Sequence, residues 1–153
     1  MAAVKYFDLK QNRIGNYIFS YKKMLDPKGD SAVYLLYAYA RICSILKKSG
    51  LTDKEIIEMG KEGAYTFSHP HELIIVKKIA QFPDILALVV QDLKINLLCD
   101  YTYNLCVLFS GGYNTYKIVG EKDMKQKCML LFALRNMLNA AFNLLGINPL
   151  QRL

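Results

Sequence analysis

Residues 34–48 read YLLYAYARICSILKK. The stretch is helical in pattern, and how its side chains sort around a helix decides the fold. At about 100° per residue, with Tyr34 at zero, Leu35, Tyr39, Ile42, Cys43 and Leu46 fall between about 80° and 180°. They form a core face. Tyr37, Arg41, Ser44 and Lys48 fall between about 280° and 340°, beside Tyr34. The helix thus has one apolar face and one that is aromatic and basic. The second face admits two readings. Unpaired bases stack on tyrosine rings at about 1–3 kcal/mol per base, with arginine and lysine on the phosphates between them. Alternatively, the tyrosines pack under a neighbouring helix and Arg41 pairs with a carboxylate, because tyrosines at helical spacing are often core.

Outward from this helix the chain keeps the same character. Asp30 or Ser31 caps its start after a DPKGD turn at 26–30, and Gly50 follows its end. Thr52 and Glu55 have capping-box spacing and open a shorter helix to about Glu62. A third helix is predicted over 69–82, with Ser68 as N-cap and Pro70 in the first turn. Pro83 breaks it and starts a fourth helix ending near Leu93. A fifth covers 95–109, a loop 110–123, and a long last helix 124–145 stops at Gly146. Residues 16–25, NYIFSYKKML, alternate aromatic and β-branched residues and read as one strand or an extended lead-in. The expected fold is therefore all-α: a helical bundle with short loops and a short extended N-terminal lead-in.

Composition narrows the function classes. With 153 residues, 53% of them hydrophobic, the chain suits one domain with a sizeable core. No apolar run is long enough to cross a bilayer, and MAAVKYFDLKQNR is too polar for a secretory signal, so a soluble intracellular protein without a membrane partner is expected. A net charge of +7 suggests an anionic partner, RNA being the commonest, although basic charge also serves solubility alone. Cys43, Cys99, Cys106 and Cys128 form no CxxC pair and read as small buried apolar residues. His69 and His71 flank Pro70 and point in different directions, which disfavours a metal site. The acidic residues read mostly as helix-surface or capping positions. No phosphate-cradling glycine motif or recognised nucleophile motif occurs, so the chain looks non-catalytic.

The loop SGGYNTYKIVGEK at 110–122 is a second aromatic-basic feature. Gly111 and Gly112 would permit positive φ and a tight exit from the preceding helix. Tyr113, Tyr116, Lys117 and Lys122 would then sit on a loop, serving either binding or solvation.

These segments together resemble arginyl-tRNA synthetases, at the junction of the catalytic domain and the DALR-type anticodon-binding domain. The resemblance rests on Tyr17-Ile18-Phe19, Met24-Leu25, then Tyr34-Leu35-Leu36-Tyr37-Ala38 and Arg41, on the Phe82-Pro83 and Leu98-Cys99 segments, and on Ala133-Leu134-Arg135 with its Leu145–Pro149 tail. It covers nearly the whole chain. It implies an α-helical anticodon-binding bundle over 24–153, with 1–23 as the end of the catalytic half and its connector. It implies binding to the anticodon loop of arginine tRNA, no DNA partner, and contact with the enzyme's own catalytic domain. The full-length arginine–tRNA ligase would use ATP and Mg in the cytoplasm; no cofactor is expected in this part, which lacks the catalytic signatures.

Carried residue by residue, the resemblance makes Tyr34, Tyr37 and Arg41 face the anticodon loop, with Lys48 on the same line. Tyr113 matches a loop aromatic that meets bases, and Tyr116 and Lys117 lie among neighbouring contacts. Leu153 stands where the family usually ends in methionine, without that residue's pliability. Phe132 replaces a polar residue before Ala-Leu-Arg, which implies a more deeply buried helix. The rival expectation is a helical protein-interaction module of a multi-enzyme assembly, burying the Tyr34 face against protein.

Overall fold

The computed structural model describes residues 1–63, 65–67, 69–113 and 118–150, and of residue 113 only the backbone. The helices are α1 (Ala2–Leu9), α2 (Tyr21–Met24), α3 (Ala32–Ser49), α4 (Asp53–Glu62), α5 (Pro70–Ala80), α6 (Phe82–Asp92), α7 (Asn96–Tyr113) and α8 (Met124–Leu144). No strand occurs among the described residues.

Local chemistry sets most of these ends. The Ser31 hydroxyl accepts from the Tyr34 N–H and starts α3, which Gly50 ends at φ 74° in the left-handed region. Thr52 and Glu55 close a full capping box on α4. At α5 the cap is His69, whose Nδ1 accepts from the His71 N–H at 3.1 Å. Ser68, the expected cap, lies outside the described residues. Phe82 opens α6 instead of ending α5, with Pro83 in the first turn.

The lead-in has no regular structure at 16–20, reaches an extended backbone at Ser20 and then makes the single turn α2, capped by the Ser20 hydroxyl. Helix α1 was not legible in the sequence. Eight residues are too few for a helix to hold alone, and its stability comes from docking. Tyr6 and Phe7 are buried, and the Tyr6 hydroxyl donates to Asp30 at 2.6 Å. Lys10 pairs with the same carboxylate at 3.0 Å.

The core lies where α3 packs against α7 and α8, with α1 on α3, α4 on α8 and α5 on α7. Leu35, Ile42, Leu98, Leu105, Leu134, Leu138 and Phe142 are fully buried there. Cys99, Cys106 and Cys128 are buried free thiols, and burial pushes Cys99 up to about 12. One acidic residue departs from the surface expectation. Glu72 is fully buried at the start of α5, where it accepts from the Tyr65 hydroxyl at 3.2 Å.

Candidate nucleic-acid interface

Helix α3 sets out the predicted line of side chains. Tyr37 is 53% exposed, and Ser44 and Lys48 are exposed beside it. Arg41 is half-buried on the same line. Tyr39, assigned to the core face, is buried with its ring 5.6 Å from that of Phe142. The two faces therefore separate as the periodicity predicts, with two differences: Cys43, expected in the core, is half-buried at the edge of its face, and Tyr34 is partly covered.

Tyr34 is half-buried. Its ring leans on Tyr103 of α7 at 5.6 Å, and its hydroxyl donates to Ser110 at 3.1 Å. The reason lies in the width of the buried arc. Ala38 and Ile45 are buried as well as Leu35, Ile42 and Leu46, because α3 meets α7 on one side and α8 on the other. Tyr34 stands at the border of that arc, so it braces α3 against α7 while Tyr37 stays open. Tyr103 was not among the expected site residues. Its spacing of seven from Ser110 puts both on one face of α7, a signal visible in the sequence once α7 is known to reach residue 113.

That extension corrects the loop expectation. Residue 113 is the last of α7. It lies one turn beyond Ser110, about 4.5 Å along the axis, on the helix whose Ser110 accepts from the Tyr34 hydroxyl. Neither glycine before it has a left-handed backbone, and Gly112 serves close packing instead. A Cβ on Gly112 would lie 2.7 Å from His71 Nε2 and nearer still to its Cδ2. The His71 Nε2–H donates to the Leu108 carbonyl, which holds the ring against α7. Tyr116, Lys117 and Leu153 lie outside the described residues.

In the Ala133-Leu134-Arg135 segment the three residues have separate tasks. Ala133 is exposed and Leu134 fully buried. Arg135 pairs with Asp53 at 2.8 Å and stacks over Phe132, 4.9 Å from the ring centre. Phe132 itself is half-buried beneath that guanidinium.

The model for the DALR anticodon binding domain matches residues 35–153. The chain belongs to this family. Among relatives of this DALR domain, the chloroplastic/mitochondrial arginine–tRNA ligase of Arabidopsis thaliana is 39% identical over 99% of the chain and 23% of the relative. The cytoplasmic arginine–tRNA ligase of Xenopus tropicalis is 37% identical over 98% of the chain and 24% of the relative. The chain thus spans about a quarter of the length of the curated relatives it matches. The solved arginyl-tRNA synthetase of Plasmodium falciparum superposes at a TM-score of 0.89 with 32% identity, covering 99% of the chain and 26% of that protein. The Thermus thermophilus synthetase gives 0.86 at 21% identity, over 99% of the chain and 26% of that protein, a likeness of fold.

The described residues contain no group of three or more metal-ligating side chains, and the sequence has no glycine loop to cradle a triphosphate. No helix among them is long and apolar enough to cross a membrane.

Proposed function

We propose that this domain grips the anticodon loop of arginine tRNA as part of an arginine–tRNA ligase, which joins arginine to that tRNA with ATP and Mg. The single observation behind this reading is the open ring of Tyr37, in line with Arg41 and Lys48 on one face of α3. A base can stack on that ring while the cations take the flanking phosphates. Tyr34, Tyr113, Tyr116, Lys117 and Leu153 complete the proposed contact set. The role is recognition: basic groups draw the RNA in, the tyrosine holds a splayed base, and binding orients the distant acceptor end in the full enzyme. The cytoplasm is the proposed compartment.

Residues 1–23 are proposed to join this domain, 24–153, to the enzyme's own catalytic half. Support comes from Ile18, 92% exposed, and from exposed Tyr17, Phe19, Tyr21 and Leu25 nearby, an apolar run suited to a protein surface. The test is binding of arginine tRNA against an anticodon-altered tRNA at two salt concentrations. Tyr37→Ala and Tyr113→Ala should weaken the first far more than the second. Equal small losses would argue for the rival protein-interaction module.

A further inference from the structure

Two turns past Arg41, the line on α3 runs into a cleft. The C-terminal half of α3, the start of α4 and the middle of α8 surround about 920 Å³. Lys47, Lys48, Arg135, Asn136 and Asn139 line it, and among the described residues Asp53 is its only acid. Asp53 pairs with Arg135 at 2.8 Å and so offsets one cation of three. Lys47 and Lys48 are exposed and have no ion-pair partner among the described residues. Asn136 and Asn139 add two side-chain amides to the lining. The space is at the upper end of the range for small-ligand sites, roomy enough for a nucleotide unit and not only a small ion. Its one aromatic neighbour, Tyr39, is 5% exposed and offers no stacking platform.

The geometry points to a second RNA contact: the cleft seats the sugar–phosphate backbone of the same tRNA, at a point separate from the bases on Tyr37. This rests on the RNA reading above. The ligand follows from the donor set. Ammonium groups and amides without a ring bind phosphodiesters and carry no sequence information. The location follows from the track. Ten residues separate Tyr37 from Lys47, about 15 Å along the helix, a span of a few nucleotides. Tyr37, Arg41, Ser44 and Lys48 lie on one face along that span and its end, so the strand need not leave the protein. Asp53 is the brake on this site, because its carboxylate holds the Arg135 charge.

The test uses two substitutions with opposite expected signs, which damage to the fold cannot mimic. Lys47→Gln should weaken binding of arginine tRNA several-fold and flatten the salt dependence by about one unit of log–log slope. The loss should be the same for an anticodon-altered tRNA. Asp53→Asn should tighten binding of both tRNAs and steepen the slope, by freeing Arg135. If Tyr37→Ala loses discrimination while Lys47→Gln and Asp53→Asn leave the salt slope at the wild-type value, the cleft contact is overturned and the tyrosine contact stands. If the wild-type chain shows no salt-sensitive tRNA binding, both are overturned.

Discussion

Two tyrosines three residues apart on α3 do different work. Tyr34 is half-buried, with its ring on Tyr103 and its hydroxyl on Ser110, and offers RNA only its remaining edge, while Tyr37 is open. Tyr37→Ala should therefore cost about 1–3 kcal/mol of binding to cognate tRNA, the worth of one stacked base, with little change in melting temperature; a titration and a melt on the same sample separate the two. A third tyrosine, Tyr6, acts inside the fold. Its buried hydroxyl donates to Asp30, and burial first, then that carboxylate, raises its pKa. Burial likewise pushes Tyr101 up to about 12. Groups whose folded pKa is raised lend stability that is whole below the unfolded value and lost as pH climbs toward the folded one. Melting temperature should accordingly fall once pH passes about 10, the ordinary tyrosine value, and Tyr6→Phe should soften that fall. The same change should cost about 1.5–3 kcal/mol at neutral pH, the worth of a hydrogen bond to a charged group.

At the scale of elements, capping residues were the most readable feature. Ser31, Thr52 with Glu55, and Gly50 act as their spacing predicted, because a cap needs only a few neighbouring residues. Thr52→Ala should destabilise the domain by about 1 kcal/mol in denaturant titrations. The Thr52 N–H and hydroxyl hold the exposed Glu55 carboxyl below its usual value. That contribution is present above the unfolded carboxylate value and disappears as pH falls through the folded one, so the wild-type advantage over the variant should shrink in acid. Gly111 and Gly112 were misread as a helix exit, since glycine's local signature cannot distinguish a turn from a close approach. The contact that requires glycine at 112 comes from His71, 41 residues away in sequence. Gly112→Ala should cost about 1–3 kcal/mol by overpacking, and His71→Ala should remove most of that penalty in a double-mutant cycle.

For the whole molecule, an α-helical bundle was legible from α3 onward, because apolar residues at helical spacing recur in every long segment there and nothing else buries them as well. The aromatic-basic line on α3 was legible for the same reason: Tyr37, Arg41 and Lys48 belong to one helix, and a helix fixes which of its residues share a face. Helix α1 was not, since eight residues hold only through Tyr6 and Phe7 against a core formed by distant segments. Deleting residues 1–10 should expose that core and lower the midpoint of urea unfolding markedly, as the loss of two buried aromatics, each worth about 1.5–3 kcal/mol, demands. The cleft beside Lys47 was equally hidden. Its walls come from α3, α4 and α8, and Asp53 meets Arg135 across 82 residues of chain. Periodicity and caps are properties of neighbours in sequence, and they sufficed for the helices, their ends and the face bearing Tyr37. Whether Tyr34 opens or braces, why 112 must be glycine, and where cations gather into a pocket depend on which helices lie side by side. No local spacing encodes that, because it is the sum of packing among segments far apart in the chain.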